Sequence, residues 1–153
     1  MKSRILLADD HGVMRFGLRA LLELAGMEVV AEAADGREAL RLAQELAPDV
    51  AIFDVAMPGL NGIDASGILK VRCPQTRVVI LSMHSDSEHV HRAVAAGASG
   101  YVLKGGATDE IVTAVRAVHA GRNYLSAGVA NAVSAGGPAG APAETALATP
   151  ALR

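Results

Sequence analysis

The chain has 153 residues, of which 51% are hydrophobic and 20% charged, and its formal net charge is −2. This composition is typical of a globular domain and provides no basic field for binding nucleic acid. The single cysteine, Cys73, excludes an intrachain disulfide and a zinc site built from cysteines. The short apolar run near the N-terminus is too brief for a signal peptide or a membrane span, so we expect a cytoplasmic protein without a membrane partner.

Short apolar runs alternate with amphipathic helical patterns along most of the chain. In chain order the sequence predicts strands at residues 5–8, 27–31, 50–53, 78–81 and 101–103, each followed by a helix. The first helix is expected to stop at Gly26, and Asn61 is expected to cap the third. Ser85 and Glu88 match a capping box for the fourth helix, and Thr108 with the acids after it predicts the start of the fifth.

This alternation predicts an α/β fold in which helices cover both faces of a parallel sheet. The chain is too short for an eight-unit barrel. We therefore expect a (βα)5 doubly wound, five-stranded, flavodoxin-like sheet with the strand order 2-1-3-4-5. The apolar fifth helix has two open interpretations, as ordinary core or as a self-association surface.

Polar residues follow four of the five predicted strands. Asp9 and Asp10 follow the first strand and Asp54 the third, while Ser82 and Lys104 follow the fourth and fifth. Since the carboxyl ends of parallel strands meet at one edge, these side chains are expected to converge there. Clustered carboxylates favour Mg²⁺, and Lys104 and Ser82 suit phosphate oxygens. The pattern predicts that Asp54 is a nucleophile that forms an aspartyl-phosphate.

The motifs around these residues resemble the receiver domain of two-component response regulators, over about residues 3–125. They are L-L-A-D-D-H at 6–11, I-F-D-V-A-M-P-G-L-N-G at 52–62, V-I-L-S-M-H at 79–84 and G-Y-V-L-K-G at 100–105. The resemblance implies that Asp54 accepts a phosphoryl group from a sensor histidine kinase. It also implies that Asp9, Asp10, Asp54 and the main-chain carbonyl of Ala56 hold Mg²⁺.

The same resemblance implies a conformational switch. Ser82 and Tyr101 match the switch pair of the family, in which the hydroxyl moves toward the phosphoryl group and the aromatic ring turns inward. Lys104 is expected to pair with the phosphoryl group. Helix four, rich in small residues, is expected to be the mobile element. The protein would then catalyse only its own phosphorylation and dephosphorylation and is not otherwise expected to be an enzyme.

Finer features resemble the LuxR/FixJ-type subgroup: D-D-H followed by Arg15, and G-R-N-Y-L-S at 121–126. We expect a receiver domain at residues 1–125 and a linker or tail at 126–153, with a short helix before a disordered segment. Members of the subgroup usually continue into a helix-turn-helix domain, which this chain lacks. DNA would be bound only through that domain, and phosphorylation would favour a homodimer. A stand-alone receiver acting by protein–protein contact is the alternative to a truncated transcription regulator.

Other readings of the aspartate are weaker. A phosphatase of the haloacid-dehalogenase type needs a second acid two residues after the nucleophile, where this chain has Ala56. A flavodoxin-like carrier needs a phosphate-binding loop after the first strand, where this chain has Asp9. DNA binding by this chain itself is not supported, because the sequence has no basic stripe. The resemblance also implies that the side chains of Ala56 and His84 flank the path of the hydrolytic water, and a methyl group at Ala56 then predicts a long-lived phosphoryl state. His89 and His91 are interpreted as solvated surface rather than as metal ligands.

Overall fold

The computed structural model describes residues 2–104 and 110–129 of the 153-residue chain. The predicted cap at Thr108 and the linker-like residues 134–153 lie outside the described residues. Within the described ranges, strands and helices alternate as the apolar periodicity predicts. The strands are β1 (Arg4–Ala8), β2 (Glu28–Ala33), β3 (Val50–Asp54), β4 (Arg77–Ser82), β5 (Gly100–Leu103) and β6 (Tyr124–Leu125). The helices are α1 (Gly12–Leu24), α2 (Gly36–Leu46), α3 (Gly62–Arg72), α4 (Ser87–Ala95) and α5 (Glu110–His119).

All strand pairs are parallel, and the sheet order is β2-β1-β3-β4-β5-β6. The predicted order 2-1-3-4-5 is confirmed. The predicted count of five strands is wrong, because β6 adds a sixth strand beside β5. This extra strand has only two residues, so it carries no alternation that the sequence could have shown.

The central strands are buried on both faces, which explains their continuous apolar sequences. Phe53 of β3 belongs to the cluster on the face covered by α2, α3 and α4. Its neighbour Ile52 belongs to the cluster on the opposite face, against α1 and α5. Because successive residues of a strand point to opposite faces, one strand supplies both cores. The helical partners include Leu40, Leu69 and Val90 on the first face and Leu22, Ile111 and Val115 on the second.

Most helix ends follow the local sequence signals. Gly26, with φ of 87°, follows α1, and the Asn61 side chain accepts a hydrogen bond from the Asp64 amide to cap α3. The capping box predicted from Ser85 is wrong. The α4 cap is Asp86, whose carboxylate accepts from the His89 amide. The negative charge of a carboxylate at this position also interacts favourably with the positive end of the helix dipole.

Packing continues past β6. Ser126 is 2% exposed, and its hydroxyl donates to Glu110 of α5 while accepting from the Leu103 amide of β5. Val129 is fully buried in the core cluster that includes Tyr101. These contacts fasten β5, α5 and the segment after β6 to one another. None of the helices in the described ranges is long and apolar enough to span a bilayer.

Candidate functional site: an acidic pocket at the carboxyl edge of the sheet

The strand order brings the predicted site residues to one edge. Asp9 follows β1 and Asp54 ends β3, and these two strands are neighbours. Ser82 ends β4 and pairs with Leu103, the residue before Lys104. β1 lies between β2 and β3, so the direction in which successive strands are added reverses between β1 and β3. Crevices at such points are where open α/β sheets bind their ligands.

Four side chains form an acidic pocket at this edge. One potential ligand atom from each of Asp9, Asp10, His11 and Asp54 lies within 4.8 Å of the others. Asp9 is fully buried and Asp54 is 2% exposed, whereas Asp10 and His11 reach solvent. Buried carboxylates of like charge are stable only with cationic partners.

Among the described residues, Lys104 is the lysine that contacts both buried carboxylates of the pocket. Its ammonium nitrogen lies 3.0 Å from Oδ2 of Asp54 and 3.2 Å from Oδ2 of Asp9. Burial alone would lower the pKa of Lys104, but its hydrogen bond to Asp54 and the charges of both carboxylates raise it above the ordinary value. Lys104 therefore remains protonated at neutral pH.

Asp54 is the carboxylic acid of the pocket whose pKa is raised. Burial raises its pKa above the ordinary value, and the negative charge of Asp9 adds to that effect. The hydrogen bond and positive charge of Lys104 act in the opposite direction but only offset part of it. Ionising Asp54 in the folded protein therefore costs free energy, and further positive charge in the pocket would lower that cost.

The pocket fits a hard divalent cation by its donor chemistry. Oδ2 of Asp9 is buried and lacks a hydrogen-bond partner among the described residues, although the Lys104 ammonium is close. Mg²⁺ in proteins usually binds one or two carboxylate oxygens and keeps several water ligands, which this solvent-accessible pocket can admit. One lysine does not balance three carboxylates.

The β1 end contains two residues whose roles the sequence reasoning missed. Nδ1 of His11 lies 3.1 Å from a carboxylate oxygen of Asp9 and 3.1 Å from one of Asp10. Arg15 donates to the Asp9 carbonyl at 2.6 Å and to Glu32 at 2.9 Å. In the sequence they are recognisable only as features shared with the LuxR/FixJ-type subgroup. His11 lies just before α1 and Arg15 lies on its first turn, and both contact Asp9.

The loop after Asp54 folds back tightly. The Ala56 amide donates to Oδ1 of Asp54 at 3.3 Å, and the Gly62 amide donates to the Val55 carbonyl at 3.0 Å. A side chain on Gly62 would collide with the carbonyl of Asp54 and the side chain of Phe53. The sequence motif contains this glycine, but only the structure shows that it lets α3 begin against β3.

Ser82 and Tyr101 converge on a single residue, His84. The His84 amide donates to Oγ of Ser82 at 2.9 Å, and the Tyr101 hydroxyl donates to the His84 carbonyl at 2.7 Å. Tyr101 is 1% exposed, so its ring already lies inward. Burial raises the pKa of Tyr101, while its hydrogen bond with Ser82 acts the other way.

An open groove of about 920 Å³ borders the pocket. Its lining combines His11 and Lys104 with apolar side chains of α1 and with Met83. Val13 and Met83 are 89% and 73% exposed, respectively. An apolar rim beside a charged centre is typical of a site that meets another macromolecule.

Comparison with known proteins identifies relatives that match most of this chain. The family described as the response regulator receiver domain matches residues 5–116. Transcriptional regulatory protein MctR of Rhizobium johnstonii is 41% identical over 133 residues, which cover 86% of this chain and 62% of that protein. Response regulator GacA of Pseudomonas aeruginosa is 39% identical over 128 residues, which cover 83% of this chain and 60% of that protein.

A solved structure shows the same architecture. A two-component response regulator of the LuxR family from Aurantimonas sp. superposes with a TM-score of 0.85 at 40% identity, covering 88% of this chain and 97% of that chain. The present chain spans about three fifths of the length of the curated relatives MctR and GacA.

Proposed function

The chain belongs to the response regulator receiver domain family, and from that premise we propose that Asp54 accepts a phosphoryl group from a sensor histidine kinase in a Mg²⁺-dependent reaction. One observation carries this assignment. Asp54 is a nearly fully buried carboxylate beside a second buried carboxylate, Asp9, and both face one lysine at a solvent-reaching pocket. Such a site is costly for stability and suits phosphoryl transfer.

Asp9, Asp10 and Asp54 are proposed to hold the ion together with the main-chain carbonyl of Ala56. When bound, Mg²⁺ supplies positive charge that offsets the carboxylates and the transferred phosphoryl oxygens. The residues themselves set the geometry. His11 and Arg15 hold the Asp9 side of the pocket, and the Ala56 amide hydrogen bond orients Asp54.

In the transfer, an oxygen of ionised Asp54 attacks the phosphorus of a phosphohistidine. The P–N bond breaks as the P–O bond forms, and the released imidazole takes up a proton. Lys104, already 3.0 Å from Asp54, is placed to pair with a phosphoryl oxygen. Ser82, at the end of the neighbouring strand, provides a hydroxyl donor. Catalysis is positioning and charge stabilisation within this chain, which acts only on its own phosphoryl group.

Phosphorylation is proposed to act through residues 82–84 and Tyr101. Movement of the Ser82 hydroxyl toward the phosphoryl group would break its hydrogen bond from the His84 amide. The Tyr101 hydroxyl is bound to the same residue, so β5 and the start of α4 would respond together. A small charge change thus alters a surface remote from Asp54.

The output is proposed to be transcription control, since a relative is named as a transcriptional regulatory protein and a structural relative as a LuxR-family regulator. DNA binding and phosphorylation-dependent homodimerisation would belong to the longer protein, in the cytoplasm. Residues 1–125 would form the receiver, with Ser126 and Val129 packed against it, and the residues beyond would act as the linker to the output domain. A stand-alone receiver would use the same switch through protein contacts.

The kinase is proposed to dock on the apolar rim of the pocket. Val13 and Met83 are highly exposed beside the groove that leads to Lys104. A partner that buries them would bring its phosphohistidine over Asp54 and exclude water from the reaction.

The direct test is incubation with acetyl phosphate and Mg²⁺, followed by intact mass measurement. The parent chain should gain the mass of one phosphoryl group, and the gain should disappear when EDTA replaces Mg²⁺. Asp54→Asn should not be labelled, whereas Asp64→Asn, which changes an exposed aspartate of α3, should be labelled normally. Labelling that persists in Asp54→Asn would refute the proposed acceptor.

A further inference from the structure

A second group of metal-ligating side chains lies at the start of α4, outside the acidic pocket. His84, Asp86 and His89 each offer one ligand atom, and these atoms lie within 4.8 Å of one another. From the sequence, His89 and His91 are predicted to be solvated surface, because residues two apart on a helix point in different directions. The structure instead brings His89 to His84, five residues earlier and just before the helix.

Asp86 has two roles in this cluster. It caps α4 by accepting from the His89 amide at 3.1 Å, and its carboxylate oxygens lie 2.8 and 2.9 Å from Nδ1 of the same histidine. The hydrogen bonds from His89 lower the pKa of Asp86 below its ordinary value. A carboxylate that holds one imidazole nitrogen leaves the other, Nε2, with its lone pair outward. This carboxylate–histidine pair is the usual support of a metal-bound imidazole.

The His84 ring completes the cluster. It stacks on the His89 ring with the centroids 4.0 Å apart and the planes 7° from parallel. The nitrogen lone pairs of stacked rings lie in the two parallel ring planes, so they do not point at a common ion. Binding of a shared ion therefore requires one ring to turn. The His84 side chain is exposed and makes no side-chain hydrogen bond among the described residues, so its ring can turn without breaking one.

We propose that His84 and His89 bind a divalent transition-metal ion, with Zn²⁺ as the representative ion and Asp86 as the residue that orients His89. Imidazole nitrogen suits Zn²⁺, Cu²⁺ and Ni²⁺, whereas Mg²⁺ prefers the oxygen donors of the acidic pocket. The acidic pocket contributes mainly carboxylates, although His11 lies within it, so the His84 and His89 variants, rather than the metal supplied, distinguish the two sites. Water would fill the remaining coordination positions at this exposed location.

The position of the cluster gives an ion there a structural consequence. The His84 main chain is bonded to Ser82 on one side and to Tyr101 on the other. An ion shared with His89 would fasten this segment to the first turn of α4. Its effect on signalling rests on the proposed function, but the binding itself does not.

The binding test is a Zn²⁺ titration of the unphosphorylated chain in saturating Mg²⁺, which occupies the oxygen site. In calorimetry, His84→Ala and His89→Gln should each weaken Zn²⁺ binding by about tenfold or more, as should Asp86→Asn, which keeps a helix cap but removes the carboxylate. His91→Ala changes an exposed histidine of the same helix and should bind as the parent does.

Amide NMR spectra locate the ion independently. Zn²⁺ should shift the signals of residues 82–89 and of Tyr101, and His84→Ala should abolish those shifts while the rest of its spectrum stays folded. Zn²⁺ shifts confined to residues 9–11 and 54 would overturn the proposal, and so would equal affinity in the parent and His84→Ala. Neither result depends on whether Asp54 accepts a phosphoryl group.

Discussion

The Lys104 ammonium lies 3.0 Å from Asp54 and within 3.2 Å of Asp9, so one cation serves two buried carboxylates. Its side chain is only 6% exposed. This arrangement leaves the pocket with excess negative charge while keeping the lysine charged and in place. The same contact that stabilises the resting pocket is therefore available to an incoming phosphoryl group.

Replacing Lys104 with glutamine should strongly slow phosphorylation. The amide retains a donor, but the positive charge that stabilises the transferred oxygens is lost, and removing one such interaction costs roughly 100-fold in rate. The initial rate with acetyl phosphate and Mg²⁺, followed by intact mass, measures the effect. Lys70→Gln, at an exposed lysine of α3, is the matched control and should react at the parent rate. An equal rate in both variants would contradict the role of Lys104.

Asp54→Asn should make the protein more stable at neutral pH in the absence of Mg²⁺. The raised pKa means that folded Asp54 binds its proton more tightly than the unfolded chain does. The stability of the parent therefore falls as the pH rises from the ordinary aspartate pKa through the raised value. Asparagine does not titrate, so its advantage is present above that window and vanishes below about pH 4.

Thermal unfolding of both proteins across this pH range checks the Asp54→Asn prediction. The melting temperatures should separate as the pH rises and converge in acid. Asp64→Asn should show no gain at any pH, because this exposed carboxylate lies in the first turn of α3, where its charge is favourable. A difference in melting temperature between Asp54→Asn and the parent that grows as the pH falls would contradict a raised pKa for Asp54.

Most of the fold could be predicted because its signals are local. Apolar runs of three to five residues and helical periodicity predict β1 to β5 and their order. β6 could not be identified, since its two residues owe their strand geometry to β5 and to the hydrogen bonds made by Ser126. The α4 cap was misassigned because Ser85 and Asp86 are both good caps, and the chain path decides between them.

The candidate site could be predicted wherever a residue follows a strand. Asp9, Asp54 and Lys104 meet, and Ser82 reaches the same edge, because parallel strands share one edge. The contact between Tyr101 and the His84 carbonyl, and the stacking of His84 on His89, depend on loop conformation. Sequence spacing contains no information about either, so both had to come from the structure.

Removing apolar surface at the rim should slow transfer from a kinase but not from acetyl phosphate. Burial of one valine contributes on the order of 1.5 kcal/mol, so Val13→Ser should reduce the kinase-dependent rate by about tenfold. Val71→Ser is the matched control, because Val71 is also highly exposed, at 81%, but lies on α3. Rates from a phosphorylated sensor kinase and from acetyl phosphate would be compared for each variant. A similar loss with both donors would place Val13 in the chemistry rather than in docking.

Tyr101→Phe should reduce stability without impairing the chemical step. The hydroxyl is buried and donates to the His84 carbonyl at 2.7 Å, and a hydrogen bond of this kind contributes about 1 kcal/mol. Denaturant unfolding measures that loss, and faster exchange of amides near residue 84 would locate it. Labelling of Asp54 by acetyl phosphate should proceed at the parent rate. A variant as stable as the parent would show that this hydrogen bond does not hold the segment.

Ala56→Asn should shorten the lifetime of the phosphorylated state. The Ala56 side chain is exposed beside the pocket, while its amide is bonded to Asp54, so a new side chain can reach the phosphoryl group without disturbing the core. An asparagine amide can orient the attacking water, which a methyl group cannot. The decay of the labelled protein, followed by intact mass after removal of acetyl phosphate, should be severalfold faster than in the parent. Ala56→Ser is a smaller polar control with an intermediate expected rate, and an unchanged or slower decay in Ala56→Asn would count against hydrolysis being limited at this position.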